Sequence, residues 1–309
     1  MNQLPERDLP PGRHRLLKEH LMTEIRRPDE APARPRRRWL RPALVAGTVA
    51  AVTAAALTVA VPSGGDSPAP PSRATVALLE DIALAAEHQD GRYGEIRDDQ
   101  FVYVDSKVSY ARTGEGMKTR IPPLHRQELW VTVDGDHTGL KLEEGEKPMW
   151  IEPDVRRGGP GWEVSSFYRH LETLPTDPDA MYDYLRETAP KYSGQEPDQA
   201  MFVLVGELTR NAIVPPAQAA ALYRAVARIP GVTVIENAVD AAGRKGVAIT
   251  RQDPDNPSRD EWIFDKSTYE FLGERTVASE DYSDVKEGTV TSNTAVLRRA
   301  VVDKPGQRP

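Results

Sequence analysis

EWIFDKSTYEFLGERTV, Glu261–Val277, sets strand-forming residues on either side of a polar interruption. Trp262–Phe264 and a return strand Tyr269–Ala278 flank Asp265-Lys266-Ser267-Thr268, where Asp and Ser can bond their own backbone and reverse the chain. Strand chemistry continues outward from this hairpin. Val232–Asn237 and Val247–Arg251 precede it and Thr289–Val302 follows, which makes a meander. Far upstream, Phe101–Tyr110 and Gln127–Val133 read as strands, and in the second Leu129, Val131 and Val133 alternate with Trp130 and Thr132. Asp134-Gly135-Asp136 is a hairpin-type turn into Gly139–Leu142, and Glu163–Tyr168 reads as a further strand.

Between the strand blocks the period changes. Ala74–His88 predicts a helix with Val76, Leu79, Ile82, Leu84 and Ala86 available for burial. Asp177 before Pro178 is an N-cap acid followed by proline in the first turn, which starts a helix over Ala180–Thr188. Gln199–Asn211 and Ala217–Ile229 follow, the latter opened by prolines and stopped by Pro230-Gly231. Segregated blocks of this kind predict an α+β domain on an antiparallel sheet, with helices on one face.

The N-terminal region has a different character. Residues 1–42 carry eleven Lys/Arg against six Asp/Glu, a net +5, so the whole-chain −7 leaves −12 for residues 43–309. Ala43–Val61 is 19 residues without a charge. As a helix it would be about 28 Å long, close to the ~30 Å hydrocarbon thickness of a bilayer. Arg36, Arg37, Arg38 and Arg41 precede it, Trp39 fits an interfacial ring, and Pro62–Ser72 follows as a Pro/Gly/Ser spacer. The positive flank predicts a cytoplasmic N-terminus and an extracytoplasmic C-terminal domain. A cleaved export signal is the alternative, since Arg37-Arg38-Trp39-Leu40 is similar to a twin-arginine signal with proline in place of the preceding Ser/Thr. Within the tail, Arg13–Arg26 carries Leu17, Leu21 and Ile25 at i, i+4, i+8 with Leu16 alongside. That is the stripe of a short amphipathic helix, which is marginal alone and fits a cytoplasmic regulatory partner or the membrane surface.

No cysteine is present, which excludes disulfides, zinc–thiolate sites, thiol nucleophiles and lipoprotein acylation. The acidic main domain argues against nucleic acid. Gly-x-Ser-x-Gly, His-Glu-x-x-His, the phosphate-binding loop and Gly-x-Gly-x-x-Gly are absent, so the sequence points to no catalytic residue, cofactor or metal. Asp134-Gly-Asp136-His-Thr138-Gly139 begins like a calcium loop, but the position for the bidentate acid is Gly145. Ser283 and Lys286 match Ser-x-x-Lys without companion motifs. Trp130, Trp150, Trp162 and Trp262 read as core and sheet-face residues, or as the lining of an apolar cavity.

DLPPGRHRLLKEHLMTEI (Asp8–Ile25), LPTDPDAMYDYLRE (Leu174–Glu187), ALYRAVARIPGVTV (Ala221–Val234) and Glu261–Val277 together resemble a family of single-pass actinobacterial membrane proteins, often encoded beside an extracytoplasmic-function sigma factor. That resemblance implies a regulatory role and no established activity. The Trp-Ile-Phe-Asp hairpin is also similar to those of lipoprotein-carrier and sigma-regulator sensor domains, which implies a half-barrel closed by helices. The expected organisation is a basic tail (1–41), a transmembrane helix (42–61), a linker (62–72) and an extracytoplasmic α+β domain (73–305). The expected function is that of a non-enzymatic envelope sensor or regulatory protein. The alternative is an exported or anchored carrier for an apolar ligand.

Overall fold

Asp265 is the pivot of the hairpin in Glu261–Val277. In the computed structural model, which describes residues 68–89, 91–114, 117–153, 165–189 and 195–309, its Oδ1 accepts from the Ser267 and Thr268 amides at 2.8 and 2.9 Å. Bonds from Ser267 and then Thr268 hold the Asp265 carboxyl down at about 2. The strands on either side, β9 (Ser258–Asp265) and β10 (Phe271–Ala278), pair antiparallel with Trp262 opposite Glu274. The return strand begins at Phe271 rather than Tyr269, because Tyr269 takes φ +54° and so leaves the extended region.

The docking stripe Leu16, Leu17, Leu21 and Ile25, the flank Arg36, Arg37, Arg38, Trp39 and Arg41, the run Ala43–Val61, and Trp162 lie outside the described residues. Among the described residues no helix is long and apolar enough to cross a membrane.

The remaining strands are β1 (Phe101–Tyr110), β2 (Arg112–Gly114), β3 (Met117–Arg120), β4 (His125–Thr132), β5 (Gly139–Glu143), β6 (Met149–Ile151), β7 (Val232–Val239), β8 (Lys245–Gln252) and β11 (Val290–Val302). Nine of the strands form one antiparallel sheet in the order β6-β5-β4-β1-β11-β10-β9-β8-β7, while β2 and β3 pair as a separate ribbon. The helices are α1 (Arg73–Glu87), α2 (Tyr168–Leu171), α3 (Pro178–Thr188), α4 (Pro197–Arg210) and α5 (Pro216–Val226). Tyr168 therefore opens a one-turn helix instead of ending a strand. Arg169 pins that turn by donating to Asp98 and to the Ile96 carbonyl at 2.6 and 2.5 Å.

The helices cover the inner face of the sheet. Thr75, Leu79, Ile82, Ala83 and Ala86 are the buried stripe of α1, so Val76 and Leu84 face outward, contrary to the expectation. The stripe is selected by α5, whose Arg224 pairs with Glu80 and Glu87 at 2.8 and 2.6 Å. Helix α4 makes the closest approach to the sheet. Phe202 stacks on Trp262 with centroids 3.9 Å apart, and a Cβ on Gly206 would sit 3.0 Å from Trp262 Nε1. Glycine there lets the helix settle on the sheet.

The outer face carries its own clusters, Phe101, Tyr103, Trp130, Leu140 and Val302 on one side and Ala238, Ala248, Ile263 and Leu272 on the other. The first lies beneath the chain end. Trp130 Nε1 donates to Gln307 O at 2.6 Å, and Arg308 reaches Glu128 at 2.6 and 2.7 Å. Residues 307 and 308, past the expected boundary at 305, are thus bonded to the sheet. At the other end of the domain the spacer also joins it: Gly231 N donates to Ala69 O at 2.8 Å, and Ser72 caps α1.

One seam interrupts the sheet. The β10–β11 ladder runs from Val277↔Val290 to Gly273↔Ala295 and stops. Beyond it, Leu272 O and Val296 O each accept from Arg244 Nη2, at 2.9 and 2.8 Å. Gly273 is the last paired residue, where a Cβ would fall 2.0 Å from Thr294 O. Gly273→Ala must push the two strands apart. It is expected to cost about 3 kcal/mol and to lower the midpoint of thermal unfolding by roughly 6–12 °C; an unchanged midpoint would contradict the seam geometry.

His125 lies between two acceptors, Pro123 O at 2.9 Å from Nδ1 and Glu143 Oε1 at 2.8 Å from Nε2. Only the doubly protonated ring can donate to both. Burial disfavours the charge, but the Pro123 carbonyl and the Glu143 carboxylate outweigh it and raise the His125 pKa. Burial likewise works against the Glu143 carboxylate, yet bonds from Lys141, His125 and Gln127 hold it down at about 2. A histidine pKa raised on folding stabilises fully below the unfolded value of about 6.5 and loses that contribution as pH rises through the folded value. Urea unfolding from pH 6 to 9 is expected to show the parent losing stability relative to His125→Asn. Parallel profiles for the two proteins would remove the ionic reading.

Candidate functional site

Two arginines from the sheet point into the helix layer, and they are treated differently. Arg251 on β8 is wholly buried and fully used: Nε donates to Pro230 O at 2.9 Å, Nη1 to Gln199 at 2.7 Å and Nη2 to Glu196 at 2.7 Å. It is a structural clamp that ties β8 to the start of α4. Arg299 on β11 is not saturated. Its Nη2 donates to the Thr209 and Arg210 carbonyls at 3.1 Å each. Those carbonyls end α4, where a helix leaves acceptors open and carries its negative dipole end. Nε is buried with no acceptor, and among the described residues no carboxylate pairs with the guanidinium. Burial lowers the Arg299 pKa, with Tyr93 and Tyr223 next in influence and opposing that shift.

A bulge aims Arg299 inward. In the β1–β11 ladder Asp105 faces Arg298 and Ser106 faces Val296, so Leu297 is an extra residue. The extra residue inverts the alternation of side chains. Arg298 therefore points outward, where it donates to Pro309 O at 3.0 Å. Arg299 sits opposite Val104, a core residue of the inner face.

The guanidinium of Arg299 lies 5.3 Å from the Phe271 ring centroid, on the wall of a cavity of about 180 Å³. Ile82 and Ala86 from α1, Ile213 from the α4–α5 junction, and Phe271 from the seam supply apolar walls. Tyr93 and Tyr223 supply hydroxyls with no hydrogen-bond partner among the described residues. Burial pushes the Tyr223 phenol up to about 12 and also raises that of Tyr93. Both therefore stay protonated donors near neutral pH. Arg92 pairs with Glu270 at 2.9 Å on the half-exposed side, so the mouth is close to neutral.

A larger hollow of about 370 Å³ lies along α1, and Tyr269 borders both spaces. Volume alone favours the larger one, but its Ser72 and Thr75 are already engaged in capping α1. Unsatisfied donors mark the smaller cavity as the site. Deeper under α4, Arg210 pairs with the buried Glu274. Burial raises Asp260 to about 6, against bonds from Thr276 and Gln199 at 2.8 Å. These groups satisfy one another and hold the layers together.

The residues singled out by motif go elsewhere. Asp134 Oδ1 accepts from Thr132 and from the Asp136 amide at 2.6 and 2.8 Å, which is turn chemistry. Among the described residues no cluster could hold a metal ion. Lys286 pairs with Asp281 at 2.6 Å, in a segment of turns and not on a helix with Ser283. Trp130 and Trp262 are core residues, Trp150 is exposed on edge strand β6, and none of the three lines the cavity. Arg299, Tyr93 and Tyr223 carried no motif. The one trace in the sequence is Arg298-Arg299 inside the apolar second half of β11, Ala295–Val302, and the bulge hides which of the two turns inward.

No family model and no curated protein matches the chain. Among solved structures, a crystal structure of MucB in complex with MucA(peri) is similar at 11% identity, covering 75% of this chain and 57% of that one, with a TM-score of 0.28. The complex structure of Pseudomonas aeruginosa MucA/MucB is similar at 11% identity over 75% and 58%, with a TM-score of 0.25. The chain spans less than three-fifths of the chains it resembles. Superposition at that level decides nothing about function.

Proposed function

We propose that the protein is a membrane-tethered, non-enzymatic sensor whose α+β domain responds to a small ligand outside the cytoplasm. One observation carries the reading. Helix α1 lines the cavity with Ile82 and Ala86 near its end, and its start is capped by Ser72, where the linker from the apolar run arrives. A rod of about 22 Å thus joins the cavity to the linker. In this scheme Ala43–Val61 is the anchor, and Leu16, Leu17, Leu21 and Ile25 form the docking face for a cytoplasmic regulatory protein. The cavity offers an arginine, phenol hydroxyls and apolar walls, and its carboxylate Glu270 is already paired with Arg92, which suits binding rather than bond-breaking. The carrier alternative draws on the same walls, but about 180 Å³ is below the ~300–1,000 Å³ usual for drug-sized ligands.

Protease shaving of intact cells, with mass measurement of the protected piece, tests the arrangement. The expected product joins the basic tail to the apolar run; a protected sheet domain, or loss of the tail from the membrane fraction, would overturn it. Leu17→Glu with Leu21→Glu is expected to abolish crosslinking of the tail to its cytoplasmic partner while leaving unfolding of the sheet domain unchanged. Undiminished crosslinking would sink the docking role.

A further inference from the structure

We propose that the cavity takes a small monocarboxylic acid with a compact aromatic or branched apolar body, its carboxylate held by Arg299 with the hydroxyls of Tyr93 and Tyr223. The proposal names the ligand class for the sensor reading above and rests on it. Three features of the site select that class.

The first is charge. Arg299 brings one positive charge into the helix layer, and its partners are two neutral carbonyls, Thr209 O and Arg210 O. A half-buried cation without a counter-ion carries a desolvation cost, and a ligand that supplies one negative charge offsets it. The other charged groups near it, Arg92 and Glu270, pair with each other. One added negative charge therefore balances the site, and a dianion would overshoot.

The second is donor geometry. Nε and Nη1 of Arg299 and the two phenol hydroxyls have no acceptor among the described residues. A carboxylate has two oxygens with about four acceptor positions, enough for this set. The contrast with Arg251, every nitrogen of which is engaged, shows that this fold can saturate an inward arginine where it serves only structure.

The third is size and lining. About 180 Å³ is comparable to an apolar cavity that holds one benzene ring. Ile82, Ala86, Ile213 and Phe271 offer that body an apolar wall, with Phe271 presenting a ring.

The test uses the full-length protein in detergent micelles, with phenylacetate as probe, phenylacetamide as its neutral isostere, and inorganic phosphate. Binding is followed by calorimetry and by thermal unfolding. Phenylacetate is expected to bind and raise the unfolding midpoint, and the amide to bind at least tenfold more weakly. Arg299→Gln is expected to weaken phenylacetate about tenfold or more. Should that variant unfold, Tyr93→Phe with Tyr223→Phe retains both rings and is expected to weaken it severalfold. Equal binding of acid and amide would overturn the anion-holding role while leaving a ligand-responsive domain standing. Phosphate binding as tight as phenylacetate would overturn the monocarboxylate class. Failure of every probe to bind would overturn the proposal, whereas the sensor reading is decided separately by shaving and by the leucine stripe.

Discussion

The pairing of β1 with β11 is the constraint on which the rest depends. It joins the first long strand of the domain to the last, from Phe101↔Val302 to Tyr110↔Ser292. β4, β5 and β6 hang from one side of this pair, and the meander β7 to β11 returns to the other. No local contact can substitute for it, because its two strands are separated by almost the whole domain. Closing so long a loop is entropically unfavourable, and the ladder forms only with the layers on both sides. The same pair delivers the chain end to the outer face, where Gln307 and Arg308 cover Trp130 and engage Glu128.

The local irregularities of that pair set the geometry of the candidate site. The bulge at Leu297 inverts the alternation and sends Arg299 inward beside the seam left where the β10–β11 ladder ends. A regular strand would have sent Arg298 inward instead, away from the carbonyls that end α4. The seam costs the sheet two unpaired carbonyls, Leu272 O and Val296 O, and Arg244 occupies both. The opening that places Phe271 and Arg299 at the cavity wall is therefore satisfied on its outer side and unsatisfied on its inner side. That asymmetry is what makes this cavity the candidate site.

Much of the scaffold was legible in the sequence, because its signals are local. Asp177 accepts from the Asp179 and Ala180 amides at 3.0 and 2.9 Å, the cap that the Asp-Pro pair announces. Strand β1 has the predicted ends, and the Asp265 turn uses the hydroxyl and amide bonds its residues suggest. Boundaries failed where a tertiary partner or a backbone angle decided them. The buried stripe of α1 depends on Arg224 of a distant helix, Tyr269 leaves the strand through φ +54°, and Glu196 caps α4 so that it begins at Pro197, two residues before the predicted start. The short strands β2, β3 and β6 carry too little alternation to be seen. Of the site almost nothing was legible. Tyr223 reads as one more apolar position of a helix, Tyr93 lies in a loop, and the direction of Arg299 depends on a register shift that only the pairing with β1 reveals.

In the sensor we propose, coupling between cavity and tail would run through α1. A ligand shifts an equilibrium only by the difference in its affinity for the two states. Helix α1 is held at its start by Ser72 and along its side by the ion pairs of Glu80 and Glu87 with Arg224, while Ile82 and Ala86 face the cavity. Those pairs are partly solvent-exposed and worth little each, so the apolar stripe carries most of the hold on α5. A body filling the cavity adds contacts to that stripe, and an anion on Arg299 neutralises a charge that otherwise only the end of α4 meets. In the proposal both effects favour the packing of α1, α4 and α5 that the structure shows. In that proposal the ligand-free domain, with its cation unmatched, is the less stable of the two states, and a tether joined to α1 would report the difference.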